Sequence, residues 1–195
     1  MKLAWGVILV FDPVFLNIQN KKCLVVGGGK VAGRKIKRLV KCGASVEVLS
    51  PQVIPEIKDL LNEDQIIYEK YSKKHLKDYM LIFAATDSKQ VNRQIYHDTR
   101  ENNILINVAN ELKYCDFIVP ALVDKGDLQI AVSSGGKSPA LAKKIKEKLQ
   151  NEFTGEYEEV TESLGEIRKL IKDSVSDQEK RSLIFNKLAE IIENK

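Results

Sequence analysis

The chain has 195 residues, 44% of them hydrophobic and 30% charged, with a formal net charge of +4. That balance belongs to a soluble globular protein and not to a disordered one, and no apolar run approaches the ~20 residues of a membrane span. The length suits one ordinary domain plus a smaller appendage, and so modest a positive charge favours an anionic ligand without implying nucleic acid.

The segment Met1 to Val10 is apolar but lacks the basic start and cleavage site of a signal peptide, so it reads as a strand or edge segment. Lys22 to Val26 is a short apolar strand that runs directly into three glycines. Val31 to Lys41 places Val31, Ile36, Leu39 and Val40 at helical spacing, with Gly43 ending the helix. Ser45 to Leu49 alternates as a strand and Pro51 closes it, which completes a β-α-β unit over 22–50. Val53 to Leu61 is expected to be helical, Ile66 to Tyr68 a short strand, and the continuous apolar run Tyr79 to Ala85 a strand covered on both faces. A helix is expected over Gln90 to Asn102 and a strand over Ile104 to Val108. Strands alternating with helices predict a doubly wound parallel sheet.

Beyond Asn110, Phe117 to Pro120 and Leu128 to Val132 read as strands separated by a turn at Asp124 to Asp127. A loop, Ser133 to Pro139, leads into a basic helix from about Ala140 to Gln150. Apolar residues at helical spacing make 151–195 a small helical module. Cys23, Cys42 and Cys115 have no CxxC spacing, so each is expected to be a small buried apolar residue in a reducing cytoplasm. His75 and His97 lack metal-ligand spacing and are expected at the surface, and no metal ligand set is expected.

Five segments bear on the chemistry. Gly27-x-Gly29-x-x-Ala32 sits between a strand and a helix, where glycines let the backbone approach a pyrophosphate and the helix N-terminus, beginning at Lys30 and Val31, supplies N–H donors. The second strand ends in Ser50, Pro51 and Gln52 with no acid to grip an adenosine ribose, and Glu47 is expected to face away from the cofactor. No arginine stands there for a 2′-phosphate either, which leaves NAD as the expected cofactor. Thr86 and Asp87 follow the buried strand and should border the cofactor, although Asp87 or Ser88 would equally serve as a helix N-cap. At the tip of the next strand Glu111 is either a proton acceptor or a solvated loop acid. Ser133, Ser134, Gly135, Gly136 and Lys137 precede a helix as an anion-binding nest would, or as a purely structural turn would.

Three segments together, Val25 to Lys35, Ala84 to Asp87, and Asp116 to Pro120 with Ala131 to Ala142, resemble the precorrin-2 dehydrogenase family of siroheme biosynthesis, including the N-terminal module of siroheme synthase. The resemblance covers about residues 5–150, and its most specific piece is Ser133 to Pro139. It implies oxidation of precorrin-2 to sirohydrochlorin with NAD⁺, in some members with Fe²⁺ insertion by the same protein. It further implies a homodimer with an exchanged segment and an active site between the modules, and a carboxylate-rich tetrapyrrole suits a serine-rich, basic nest. The fold class is then α/β: a Rossmann-like doubly wound parallel sheet in 1–113, a small α+β dimerisation and substrate-binding segment in 114–150, and a C-terminal helical module in 151–195.

The chain departs from the family at Asn110, where the family carries an aspartate with an acid/base role. Asparagine holds a hydrogen bond but accepts no proton at neutral pH. Glu111 takes over, the base is dispensable, or one activity is lost. Two other functions compete with the dehydrogenase: a bifunctional enzyme that also chelates iron, and a non-catalytic NAD-sensing module, which accounts for the glycine turn but not for the nest.

Overall fold

The computed structural model describes residues 11–193. The strand or edge segment expected over Met1 to Val10 lies outside the described residues. The chain divides into two compact units, 1–119 and 120–195.

The first unit is built on a five-stranded parallel sheet in the order β3-β2-β1-β4-β5. Its strands are β1 (Lys22–Val26), β2 (Ser45–Leu49), β3 (Ile66–Ile67), β4 (Leu81–Ala84) and β5 (Leu105–Val108). Alternation along β1 sends Cys23 and Val25 to one face and Leu24 and Val26 to the other. The first face packs on Ala32, Ile36 and Leu39 of α1 (Lys30–Lys41). The second packs on Ile95 of α3 (Lys89–Arg100). All four residues of β4 are buried, as its unbroken apolar run predicts. The sheet is thus covered on both sides, in the doubly wound manner expected.

Several local expectations need correction. The helix over Val53 to Leu61 shrinks to α2 (Pro55–Lys58). Its first residues are held otherwise: Ile54 donates its N–H to Gly28 O at 2.9 Å, and the Ser50 hydroxyl donates to Gln52 O at 2.7 Å. Pro55 then starts the helix where a missing N–H costs nothing. Phe117 to Pro120 is not a strand. Asp116 donates its N–H to Ile106 O, its carboxylate accepts the Ile106 N–H, and Asn107 Nδ2 donates to Phe117 O. The segment therefore satisfies the outer edge of β5, which would otherwise present bare N–H and C=O groups.

Cys23 is buried and Cys115 half-buried, but Cys42 is exposed at the end of α1. His97 is exposed as expected, whereas His75 is buried at 7% exposure with Nε2 3.1 Å from Glu69 Oε2. Glu47 is half-buried and accepts the hydroxyl of buried Tyr79 at 2.6 Å.

The second unit holds an antiparallel hairpin of β6 (Ala121–Lys125) and β7 (Leu128–Val132). Asp124 and Lys125 belong to β6, so the turn is only Gly126-Asp127, with Gly126 at φ +63°. Against the hairpin packs α4 (Pro139–Glu152), followed by α5 (Glu156–Ser174) and α6 (Gln178–Glu193). No helix among the described residues is long and apolar enough to cross a membrane.

Candidate functional site

The C-terminal ends of β1, β2 and β4 open into a cleft of about 410 Å³. Ligands in such sheets bind at this end, where the strand order reverses between β1 and β4. Each of the three glycines on its floor has a different reason to be glycine. Gly27 has φ +125°, and a Cβ there would lie 2.4 Å from Ala85 O. A Cβ on Gly28 would lie 1.8 Å from Gln52 O. Around Gly29, by contrast, a Cβ would meet nothing within 4 Å. Gly29 is also the N-cap of α1, which has no side-chain cap and no acidic residue in its first turn. Uncapped N–H groups and the positive end of the helix dipole thus face open space, as a pyrophosphate requires. Gly33, by contrast, is under no steric demand: a Cβ there would make ordinary contacts with Ile54 at 3.5 Å and Ile57 at 3.6 Å.

Gly27, Gly29, Ser50, Pro51, Thr86 and Asp87 line the cleft together. Lys30 and Val31 adjoin it as the first two residues of α1, and Gln52 meets the glycine turn through its carbonyl. The Thr86 hydroxyl is committed to the loop: it donates to Asn92 Oδ1 at 2.7 Å, and Asn92 Nδ2 donates back to Thr86 O at 3.0 Å. Ser88, not Asp87, is the N-cap of α3 and accepts the Val91 N–H. Thr86 therefore shapes the cleft wall from a fixed turn, while Asp87 remains exposed.

The cleft also includes Glu69, Lys70, Tyr71 and Val91, which the sequence reading did not single out as site residues, beside Gly28 of the glycine turn and the N-cap candidate Ser88. Gly28 was visible as the middle of a triplet. Residues 69–71 carry no motif, and enter only because the chain leaving β3 folds back, with Glu69 N–H donated to Ile67 O.

Asn110 and Glu111 lie at the tip of β5, next to the β4 tip, where Ala109 donates its N–H to Ala84 O at 2.9 Å. Asn110 is exposed with φ +62°, a left-handed conformation that asparagine tolerates better than most residues. Glu111 is no solvated acid: its side chain is 10% exposed, and Oε1 accepts from Arg93 Nη2 at 2.7 Å and Nε at 3.1 Å. The Arg93 guanidinium holds its carboxyl below the usual carboxylate range, which makes it a weaker proton acceptor. Its Oε2 is buried without a partner among the described residues.

In the second unit, Gly135 and Gly136 have φ of +59° and +79°. Ser133 Oγ accepts the Gly135 N–H, Ser134 Oγ accepts the Ser138 N–H, and Ser138 Oγ caps α4 by accepting the Leu141 N–H. The serine oxygens thus fold the loop, and the hydroxyl protons of Ser133 and Ser134 stay available to donate to an anion. Lys137 is exposed beside them.

The family described as "Putative NAD(P)-binding" matches residues 14–121, and the "Sirohaem biosynthesis protein central" family matches 125–152. The chain is 35% identical over 178 residues to a siroheme synthase of Nitrosococcus oceani, covering 90% of this chain and 38% of that protein. It is 41% identical over 140 residues to a siroheme synthase of Pseudoalteromonas translucida, covering 71% of this chain and 30% of that one. The chain therefore spans under two fifths of these larger relatives. A solved structure of SirC, a precorrin-2 dehydrogenase, superposes with a TM-score of 0.77 at 29% identity, covering 91% of this chain and 89% of that one. A glycine turn shaped for a pyrophosphate and two family matches in series lead to one assignment: the chain belongs to the NAD(P)-binding precorrin-2 dehydrogenase family of siroheme biosynthesis.

Proposed function

We propose that this chain oxidises precorrin-2 to sirohydrochlorin with NAD⁺. The observation that carries this reading is the open, uncapped N-terminus of α1 behind Gly29, in a cleft whose neighbouring glycines admit no side chain. Bound there, the nicotinamide would accept the hydride that the oxidation releases. Gly27 to Val31 receive the pyrophosphate, Ser50 to Gln52 border the adenosine ribose, and the turn at Thr86 and Asp87 borders the nicotinamide side. Ser133, Ser134, Gly135, Gly136 and Lys137 bind substrate carboxylates through hydroxyl protons, backbone N–H groups and one ammonium.

Asn110 orients the substrate by hydrogen bonding, and the released proton passes to water or to a substrate carboxylate. Glu111, whose carboxylate is committed to Arg93, is not assigned that role. The domain reading is a Rossmann domain over 1–113, an exchanged dimerisation segment over 114–150 and a helical module over 151–195. Exposed apolar residues on the helices of the second unit, Leu141, Ile145, Leu170, Leu183 and Ile191, supply surface for a cytoplasmic homodimer. Purified protein should form sirohydrochlorin from precorrin-2 when NAD⁺ is supplied and not when no dinucleotide is present, and absence of turnover at saturating cofactor refutes the reading. Asn110→Asp should raise the rate if proton acceptance limits it.

A further inference from the structure

We propose that Lys70 reads the 2′ position of the cofactor's adenosine ribose, and that this chain accepts NADP⁺ alongside NAD⁺. The inference rests on the cofactor reading above and concerns the far end of the same cleft. Strands β2 and β3 are parallel neighbours, with Leu49 opposite Ile67 and the Ser50 N–H donated to Ile67 O at 3.0 Å. The chain leaving β3 therefore emerges about one strand spacing, ~4.8 Å, from the tip of β2. It turns back at once through the Glu69 N–H bond to Ile67 O, and Lys70 and Tyr71 then line the cleft with Gly28 and Ser50.

In sheets of this topology the ribose 2′-hydroxyl sits at the β2 tip, where a carboxylate selects NAD and a cation accommodates the 2′-phosphate of NADP. The β2 tip here carries no carboxylate. Ser50 spends its proton on Gln52 O, so its oxygen can accept from a ribose hydroxyl but opposes a phosphate with no charge. The neighbouring acid, Glu69, is already paired with Lys74 Nζ at 2.7 Å and His75 Nε2 at 3.1 Å. Exposed Lys70 has no hydrogen-bond or ion-pair partner among the described residues. Its backbone is anchored beside Tyr71, whose hydroxyl donates to Asp98 Oδ2 at 2.7 Å. A cation without a partner on a fixed loop, facing a tip without an acid, suits a 2′-phosphate.

Isothermal titration calorimetry of the full chain with each dinucleotide, at low salt, tests this. The Kd for NADP⁺ should be less than about tenfold that for NAD⁺, a gap below about 1.4 kcal/mol. Lys70→Ala should raise the NADP⁺/NAD⁺ ratio at least about fivefold by removing a charge-assisted phosphate contact, and Lys70→Arg should bring the ratio back towards the wild-type value. NAD⁺ binding with a wild-type ratio above about ten, or a smaller change in Lys70→Ala, overturns this proposal alone. Failure of both dinucleotides to bind overturns the cofactor reading beneath it.

Discussion

Substituting Gly28 and Gly29 separately should split folding from cofactor binding within one triplet. A Cβ on Gly28 would sit 1.8 Å from Gln52 O, about half the ~3.5 Å optimal separation of non-bonded heavy atoms. The obstacle is backbone, so relief requires moving the 50–54 loop. That movement breaks the Ile54 N–H bond to Gly28 O and the Ser50 bond to Gln52 O, each worth about 1 kcal/mol. With overpacking strain of about 1–3 kcal/mol, Gly28→Ala should cost about 3–5 kcal/mol. For a chain of this size that lowers the thermal midpoint by at least about 6 °C. Gly29→Ala meets no atom within 4 Å, and its φ of −93° suits any residue. It should cost under about 1 kcal/mol as an N-cap change, yet weaken dinucleotide binding at least about tenfold, because the new methyl occupies the pyrophosphate's approach. Thermal melts of the ligand-free variants and calorimetric titration with NAD⁺ separate the two effects. A Gly28→Ala midpoint within about 2 °C of wild type would refute the steric reasoning.

Two further perturbations address the β5 tip and edge. Because the Glu111 carboxyl is held below its ordinary range when folded, its pairing with Arg93 favours the fold at neutral pH, and that contribution is lost as pH falls through the depressed titration. The gap in thermal midpoint between wild type and Arg93→Ala should therefore be full at neutral pH and shrink as pH falls below the ordinary carboxylate range, and a gap that widens in acid contradicts the pairing. Asp116→Ala removes the acceptor of the buried Ile106 N–H as well as the Arg100 partner, and should cost about 2 kcal/mol. Asp116→Asn keeps one acceptor oxygen and should lose less, and equal midpoints for the two variants would show that the edge bond contributes nothing.

What the sequence reveals here follows from how far apart the interacting residues lie along the chain. The β1-α1-β2 unit is legible because its signals are local: a buried strand, a glycine triplet and a helical apolar face occupy consecutive residues, and the structure keeps their bounds to within a residue. Phe117 to Pro120 misleads because an apolar run looks the same whether it pairs as a strand or seals an edge. The distinguishing features, Asp116 reaching Ile106 and Asn107 reaching Phe117, are ten residues apart and exist only once β5 is placed. His75 misleads in the same way, since a basic, loop-like neighbourhood gives no hint that the ring is buried beside Glu69.

The same limit governs the candidate site. The glycines announce themselves because their requirement is steric and local, but the acid at the β5 tip does not declare its state. Glu111 reads as a loose loop carboxylate until α3 brings Arg93, eighteen residues earlier, within 2.7 Å. That pairing changes the chemical question at Asn110. A carboxylate bound by two guanidinium nitrogens is held in its charged form and is ill placed to take up a proton at neutral pH. If the chain is a dehydrogenase, its rate then depends on hydride transfer geometry at the cleft more than on a protein base. An enzyme of that kind should show a turnover that varies little with pH near neutrality, whereas restoring an aspartate at position 110 should introduce a rise in rate as that carboxylate ionises.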